Sequence, residues 1–130
     1  MKREIKFRAW DATNKNWVED NDFYIHSLTG NSHWADNPSG NYASIFPFDN
    51  DIRLMQFTGL KDKNGKDLYE GDIVQPYRNG KAFKDDRCFI KYSDNSFVMA
   101  HDEVEEKMDC IWFYDFEIIG NIYENTNLIK

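Results

Sequence analysis

The chain has two cysteines, three prolines, three histidines and seven glycines in 130 residues. Each scarcity excludes something. Cys88 and Cys110 stand in no CxxC and in no Cys/His set with metal-ligand spacing, so the reading is two reduced thiols. A single disulfide would need an oxidising compartment, for which the sequence gives no sign. His26, His33 and His101 form no HxH, HxxxH or HExxH pattern; His26 and His33 share a polar segment with Asp36, where solvated histidines are the rule. GxSxG and P-loop patterns are missing, and the glycines never cluster as GxGxxG, so no nucleophile elbow or phosphate cradle is expected. No apolar run approaches the ~20 residues of a membrane helix. None follows Met1-Lys2-Arg3 in the way a signal peptide requires. The expectation is a soluble, cytoplasmic, non-enzymatic protein with no cofactor, no bound metal and no membrane partner.

What is abundant is aromatic and charged. The composition is 41% hydrophobic, 16% aromatic and 30% charged, too apolar for a disordered chain. The length suits one domain, residues 1–130, with a core of its own. The net charge of −7 is local in origin. From His101 to Glu117 there are seven acids and one base, which accounts for −6; the first eight residues carry +3. An acidic chain is repelled by phosphate backbones unless a basic patch is set apart on one face.

Strand signals dominate. Ile5 to Trp10 alternates, with Ile5, Phe7 and Ala9 on one face and Lys6, Arg8 and Trp10 on the other. A polar turn over 11–16 leads to Trp17-Val18, and Phe23-Tyr24-Ile25 is a further short strand, giving an N-terminal hairpin region over 1–25. The segment 26–51, with Gly30, Pro38, Gly40 and Pro47, reads as a long loop that folds back on the body or packs on a neighbouring subunit. Regular pattern returns over 52–130, a β-barrel-like part. Ile52 to Phe57 is strand-like, and Asn64-Gly65 predicts a hairpin with both residues at the positive φ of a type I′ turn. Glu70-Gly71-Asp72 is a second turn, and Ile73-Val74 is stopped by Pro76. Residues 88–92 and 96–100 make another hairpin. Asp102 to Cys110 is the one candidate helix, Gly120 breaks the last apolar run, and Thr126 to Lys130 closes with a short helical turn.

Candidate site residues are few. Lys6, Arg8 and Trp10 form a cationic and aromatic stripe that either tracks phosphates and stacks a base, or sets Trp10 against a neighbouring strand with the two cations outside. Lys81, Lys84 and Arg87 would extend a nucleic-acid face. Trp34, Tyr42, Phe46 and Phe48 are an aromatic surplus in a polar segment, of the kind buried at interfaces. The acids of 101–117 read as a solvated surface. Asn64, Gly65, Tyr69, Gly71, Asp72 and Gly120 have folding roles: Gly71 frees a sharp bend, Asp72 accepts backbone N–H bonds in it, and Tyr69 is a core aromatic with its hydroxyl at the rim.

Three stretches together resemble the YopX family of small phage and prophage proteins: Arg3-Glu4-Ile5-Lys6-Phe7-Arg8-Ala9-Trp10-Asp11, the run from Leu54 to Val74 around Asp62-Lys63-Asn64-Gly65 and Leu68-Tyr69-Glu70-Gly71-Asp72, and Phe116 to Asn125. The resemblance implies a mainly β fold of bifurcated, coiled sheets with little helix and an SH3-like barrel portion in the second half. It implies a phage or prophage origin and a bacterial cytoplasm, and it carries no activity. The expected function is a non-enzymatic interaction module that acts on an unknown host or phage protein, with a homo-oligomer as one form. The alternative is a nucleic-acid-binding module built on the basic strand face.

Overall fold

The computed structural model describes residues 4–19, 23–25, 32–35, 45–47, 52–83, 87–101, 104–107 and 115–128. Thirteen strands are described: β1 (Phe7–Asp11), β2 (Asn16–Trp17), β3 (Phe23–Ile25), β4 (Ser32–Ala35), β5 (Ile45–Pro47), β6 (Ile52–Lys61), β7 (Asp67–Tyr69), β8 (Asp72–Arg78), β9 (Lys81–Ala82), β10 (Cys88–Ser93), β11 (Ser96–His101), β12 (Val104–Lys107) and β13 (Asp115–Asn121). A 3-10 turn follows at Thr126–Leu128. The fold is mainly β, as the alternation predicts. The chain divides into two compact units, Met1–Phe7 with Met55–Lys130, and Arg8–Leu54.

The strands form three sheets, ordered β2-β1-β6-β7, β12-β11-β10-β8-β13 with β9 also on β8, and β3-β4-β5. The third sheet corrects the reading of 26–51 as a long loop. Ser32–Ala35 and Ile45–Pro47 are strands, with Trp34 opposite Phe23 and Phe46. Both are only three or four residues long, too short for the period-2 signal to rise above the surrounding Gly, Pro, Ser and Asn. Tyr42 and Phe48 lie outside the described residues. The candidate helix is also overturned: Val104–Lys107 is the strand β12, antiparallel to β11.

In the larger unit, Leu68, Val74, Cys88, Ile90 and Met99 form the core, with Phe97, Phe116 and Ile118 packed on it. Full burial of each Leu, Ile or Val contributes about 1.5–3 kcal/mol. Ile73, Val98 and Ala100 are buried too, although they alternate with Val74 and Met99 along their strands. The six-stranded sheet is therefore covered on both faces in its middle, which explains why Asp72-Ile73-Val74-Gln75-Pro76 is buried at every position.

Pro76 does not stop β8, which runs on to Arg78. Pairing to β10 ends at Val74, pairing to β9 begins at Tyr77, and β13 pairs along the other edge from Asp72 to Tyr77. The Pro76 carbonyl accepts the Phe83 N–H at 3.0 Å, on the β9 side. N–H and C=O of one strand residue face the same edge, so the missing donor of Pro76 falls where β8 passes from one neighbour to the next. This shared edge is the bifurcation of the sheet.

Gly120 does not end its strand either. β13 continues to Asn121, with a bulge between Ile118 and Gly120 opposite Val74 and Ile73.

Candidate interaction surface and turn motif

The sequence-predicted stripe is split, with Lys6 in the larger unit and Arg8 and Trp10 in the smaller. Lys6 belongs to the larger unit, just before β1, and its carbonyl accepts the Phe57 N–H at 2.9 Å. Its ammonium bonds Asp67 Oδ2 at 2.5 Å and Glu4 Oε1 at 3.1 Å and lies 4.6 Å from the centre of the Phe57 ring. Asp67 Oδ1 accepts from Lys61 Nζ at 2.5 Å. The Asp67 hydrogen bond, then that of Glu4, holds the Lys6 ammonium above its ordinary value. Lys6 and Lys61 in turn hold the Asp67 carboxyl low. Lys6 is thus occupied by two carboxylates.

Arg8 and Trp10 belong to the smaller unit. Asp11 builds the turn that follows them: its Oδ1 accepts the N–H groups of Thr13 and Asn14 at 3.0 Å each, and Asn14 Nδ2 donates to Oδ2 at 2.8 Å. The Asn14 bonds hold the Asp11 carboxyl below its ordinary value. The turn brings Trp17 opposite Trp10 in register. The two indoles meet edge to face at 5.0 Å, and the Arg8 guanidinium sits 4.6 Å from the Trp17 ring centre. Trp10 is only 5% exposed, so the ring open to solvent is Trp17. Ile5, which alternation places with the core, is 60% exposed because β1 begins two residues later.

The turn motif of the larger unit is a set of close approaches. Asp62, buried, spends its carboxylate on backbone: Oδ1 accepts the N–H of Asn64 and of Lys66 at 2.9 Å each, and Oδ2 accepts the N–H of Ile118 at 3.0 Å. Burial pushes the Asp62 carboxyl up, but the Ile118, Lys66 and Asn64 amides outweigh it and hold it low. The Lys63 N–H also donates to the Phe116 carbonyl, at 3.0 Å, so the hairpin tip is stitched to β13. The Asp62 carbonyl accepts the Gly65 N–H, and Gly65 alone has positive φ, at 81°. This is a three-residue loop closed by a left-handed glycine, not the type I′ turn predicted from Asn64-Gly65. Type I′ geometry occurs instead at Asp94-Asn95 and Asn79-Gly80, where both residues have positive φ.

Gly71, at φ 83°, is packed on three sides. A Cβ there would lie 3.1 Å from Met55 Sδ and 3.6 Å from Ile122 and Tyr123. Its N–H donates to the Ile90 carbonyl and its carbonyl accepts the Ile122 N–H. Asp72, 2% exposed, accepts the Tyr69 N–H at 2.8 Å, the predicted role. The Tyr69 ring tilts against Phe57 at 5.6 Å and is half-buried. Glu70 takes the Gln56 N–H at 2.9 Å, and burial pushes its carboxyl up. Gly120 is needed because the Asn125 amide occupies the place of its side chain: a Cβ would stand 2.4 Å from Asn125 Oδ1. Asn121 Oδ1 holds the next turn through the N–H groups of Tyr123 and Glu124.

Sequence reasoning missed Asp62, whose signal is an aspartate two residues before Asn-Gly, where an Asx turn forms. It also missed the cluster in which Tyr77 donates to Glu117 at 3.1 Å and Lys63 lies over the Tyr77 ring at 3.8 Å. These three residues are far apart in sequence, so no local pattern joins them. Among the described residues, no three His, Cys, Asp or Glu side chains gather as metal ligands, and no helix is long and apolar enough to cross a membrane.

A family profile described as YopX protein matches residues 6–130. The chain belongs to the YopX family. It is similar in structure to yopX from Bacillus subtilis, with a TM-score of 0.61 and 22% identity over 95% of this chain and 97% of that one. Protein EF1440 from Enterococcus faecalis is also similar, with a TM-score of 0.57 and 26% identity over 99% of this chain and 100% of that one. No curated protein gives a match. The stretches that carry the YopX resemblance are those whose polar groups close turns around Asp62, Gly71, Asp72 and Gly120.

Proposed function

We propose that this YopX protein is a phage or prophage accessory protein of the bacterial cytoplasm, acting without catalysis as a β-rich interaction module. In this reading the part from Ile52 onward is its SH3-like barrel portion, and the module binds a host or phage protein or assembles as a homo-oligomer. The observation that carries the reading is the division of labour among side chains. The carboxylates of Asp62, Asp72 and Asp67 are consumed by backbone amides or lysines, while the large apolar groups Ile5, Trp17, Leu60 and Tyr92 are left exposed. Buried, satisfied carboxylates serve folding; exposed aromatic and aliphatic groups serve contact.

Nucleic-acid binding through the first strand has less support. Lys6 is held by two carboxylates, the Arg8 guanidinium lies 4.6 Å from the Trp17 ring centre, and Trp10 is buried. Light scattering on the purified chain tests the reading, with a mass above the 15.5 kDa monomer expected as concentration rises. A strict monomer at every concentration removes the homo-oligomer. Tight, salt-sensitive binding to DNA would favour the alternative.

A further inference from the structure

The sequence holds two Asn-Gly pairs in the same setting, a base before and a lysine after: Lys63-Asn64-Gly65-Lys66 and Arg78-Asn79-Gly80-Lys81. In this dipeptide an asparagine side chain can react with its own backbone. The glycine nitrogen loses its proton to base and attacks the asparagine Cγ. The new C–N bond closes a five-membered succinimide, and the side-chain nitrogen leaves as ammonia. Water then opens the ring at one carbonyl or the other. The products are aspartate and isoaspartate, the latter with the backbone rerouted through the side chain. Glycine permits the attack because it has no Cβ in the way. By sequence the two sites are equivalent.

The fold separates them. At Asn64-Gly65 the Gly65 N–H donates to the Asp62 carbonyl at 2.9 Å. Asp62 Oδ1 accepts the N–H of Asn64 and of Lys66, on either side of Gly65. A carboxylate therefore sits against a peptide that would itself have to become anionic, and like charge opposes that. The loop is also closed by the Asp62 N–H on the Lys66 carbonyl and tied to β13 by the Lys63 N–H on the Phe116 carbonyl and the Ile118 N–H on Asp62 Oδ2. Swinging the peptide onto the Asn64 side chain breaks several of these at once, at about 0.5–1.5 kcal/mol each.

At Asn79-Gly80 both residues are exposed, with φ values of 50° and 78°. Among the described residues, the Gly80 N–H has no backbone partner, and no carboxylate accepts from the N–H of Asn79 or Gly80. The stem is short: β9 is two exposed residues, paired with β8 at Tyr77–Ala82 and Arg78–Lys81. The second of these sets two cations opposite each other, which opposes the pairing. Such a stem opens locally at small cost. Steric room does not distinguish the sites, since a Cβ on either glycine would meet nothing within 4 Å.

We propose that Asn79 is a site of spontaneous deamidation in the folded protein, with water as co-reactant, and that Asn64 is shielded from the same reaction by the loop that Asp62 builds. Each event at Asn79 adds one negative charge to a chain already at −7. Where the ring opens to isoaspartate, an extra methylene enters the backbone of a two-residue turn that has no room for it in its register. The β8–β9 tip is then the part of the larger unit that ages first.

Timed incubation tests this. The purified wild-type chain would be held in mildly alkaline buffer, folded and in guanidinium chloride. Chymotryptic peptides would be followed by mass spectrometry for the amide-to-acid mass gain, and isoaspartate by enzymatic methyl labelling. Trypsin is unsuitable, because it releases the same Asn-Gly-Lys peptide from both sites. In denaturant the two sites should convert at the same rate within about threefold, as their shared setting requires. In the folded protein Asn79 should convert at least about tenfold faster than Asn64, the factor that ~1.4 kcal/mol of extra opening cost gives. Folded-state conversion of Asn79 no faster than that of Asn64, whether both react or neither does, overturns the proposal. So does a rate gap in denaturant as large as that in the folded chain, since sequence rather than the fold would then set it.

Discussion

At the scale of single residues, the glycines separate by what surrounds them. Gly120→Ala would drive a methyl to 2.4 Å from Asn125 Oδ1, and Gly71→Ala combines positive φ with a 3.1 Å contact to Met55 Sδ. Gly80 has positive φ but nothing within 4 Å of a new Cβ. In urea denaturation, the Gly120 and Gly71 changes should each cost about 2–4 kcal/mol, and Gly80→Ala about 1–2 kcal/mol. The acids separate by sign. The Asp62 carboxyl is held low, so its share of stability is present above the unfolded value of ~4 and is lost as pH falls through the lower folded value. Glu70 is the reverse. Its folded value is raised by burial, so its ionised form weakens the fold above that value, and the penalty disappears in acid. Glu70→Gln, which keeps an acceptor for the Gln56 N–H, should therefore be more stable than wild type at neutral pH and equal to it in acid. Thermal melts across pH measure this.

At the scale of elements, turn chemistry decides which substitutions matter. Asn95 has φ 67° in the two-residue β10–β11 turn, whereas Asn64 is not at positive φ. Asn95→Ala should cost about 1 kcal/mol and Asn64→Ala less than about 0.5 kcal/mol, read by chemical denaturation. A sequence reader would rank these two the other way, because Asn-Gly is the stronger hairpin signal. The signal located the β6–β7 hairpin correctly but not its geometry, because Asp62 imposes a longer loop through its bonds to Asn64, Lys66 and Ile118. The same limit recurs elsewhere. Strands Phe23–Ile25, Cys88–Ser93 and Ser96–His101 were legible from apolar and β-branched runs between turn residues. β12 was not, since Val104-Glu105-Glu106-Lys107 has the composition of a helix and becomes a strand only by pairing with β11. Pro76 reads as a stop locally and is tolerated only because two different strands share that edge of β8.

At the scale of the whole molecule, the candidate stripe was legible as residue types but not as an arrangement. Alternation placed Lys6, Arg8 and Trp10 on one face. It could not reveal that Asp67 and Glu4 would claim Lys6, or that Trp17 would meet both the indole of Trp10 and the cation of Arg8. Those partners arrive from distant strands or across a turn. Charge was legible in bulk, and the structure adds that two cations, Arg78 and Lys81, are set opposite each other at an exposed turn. The YopX stretches make sense at this scale as closure of the larger unit. Asp62 ties the β6–β7 tip to β13, Gly71 joins Ile90 to Ile122, and Asn125 fills the space beside Gly120.

Closure of the larger unit by this motif is tested most directly by amide hydrogen exchange in Asp62→Ala against wild type. Wild type should show the amides of Lys66, Gly71, Ile118 and Ile122 exchanging together, near the rate of global unfolding. The variant should speed all four, with a loss of about 1–3 kcal/mol. Faster exchange at Lys66 and Ile118 alone, with Gly71, Ile122 and global stability unchanged, would contradict it.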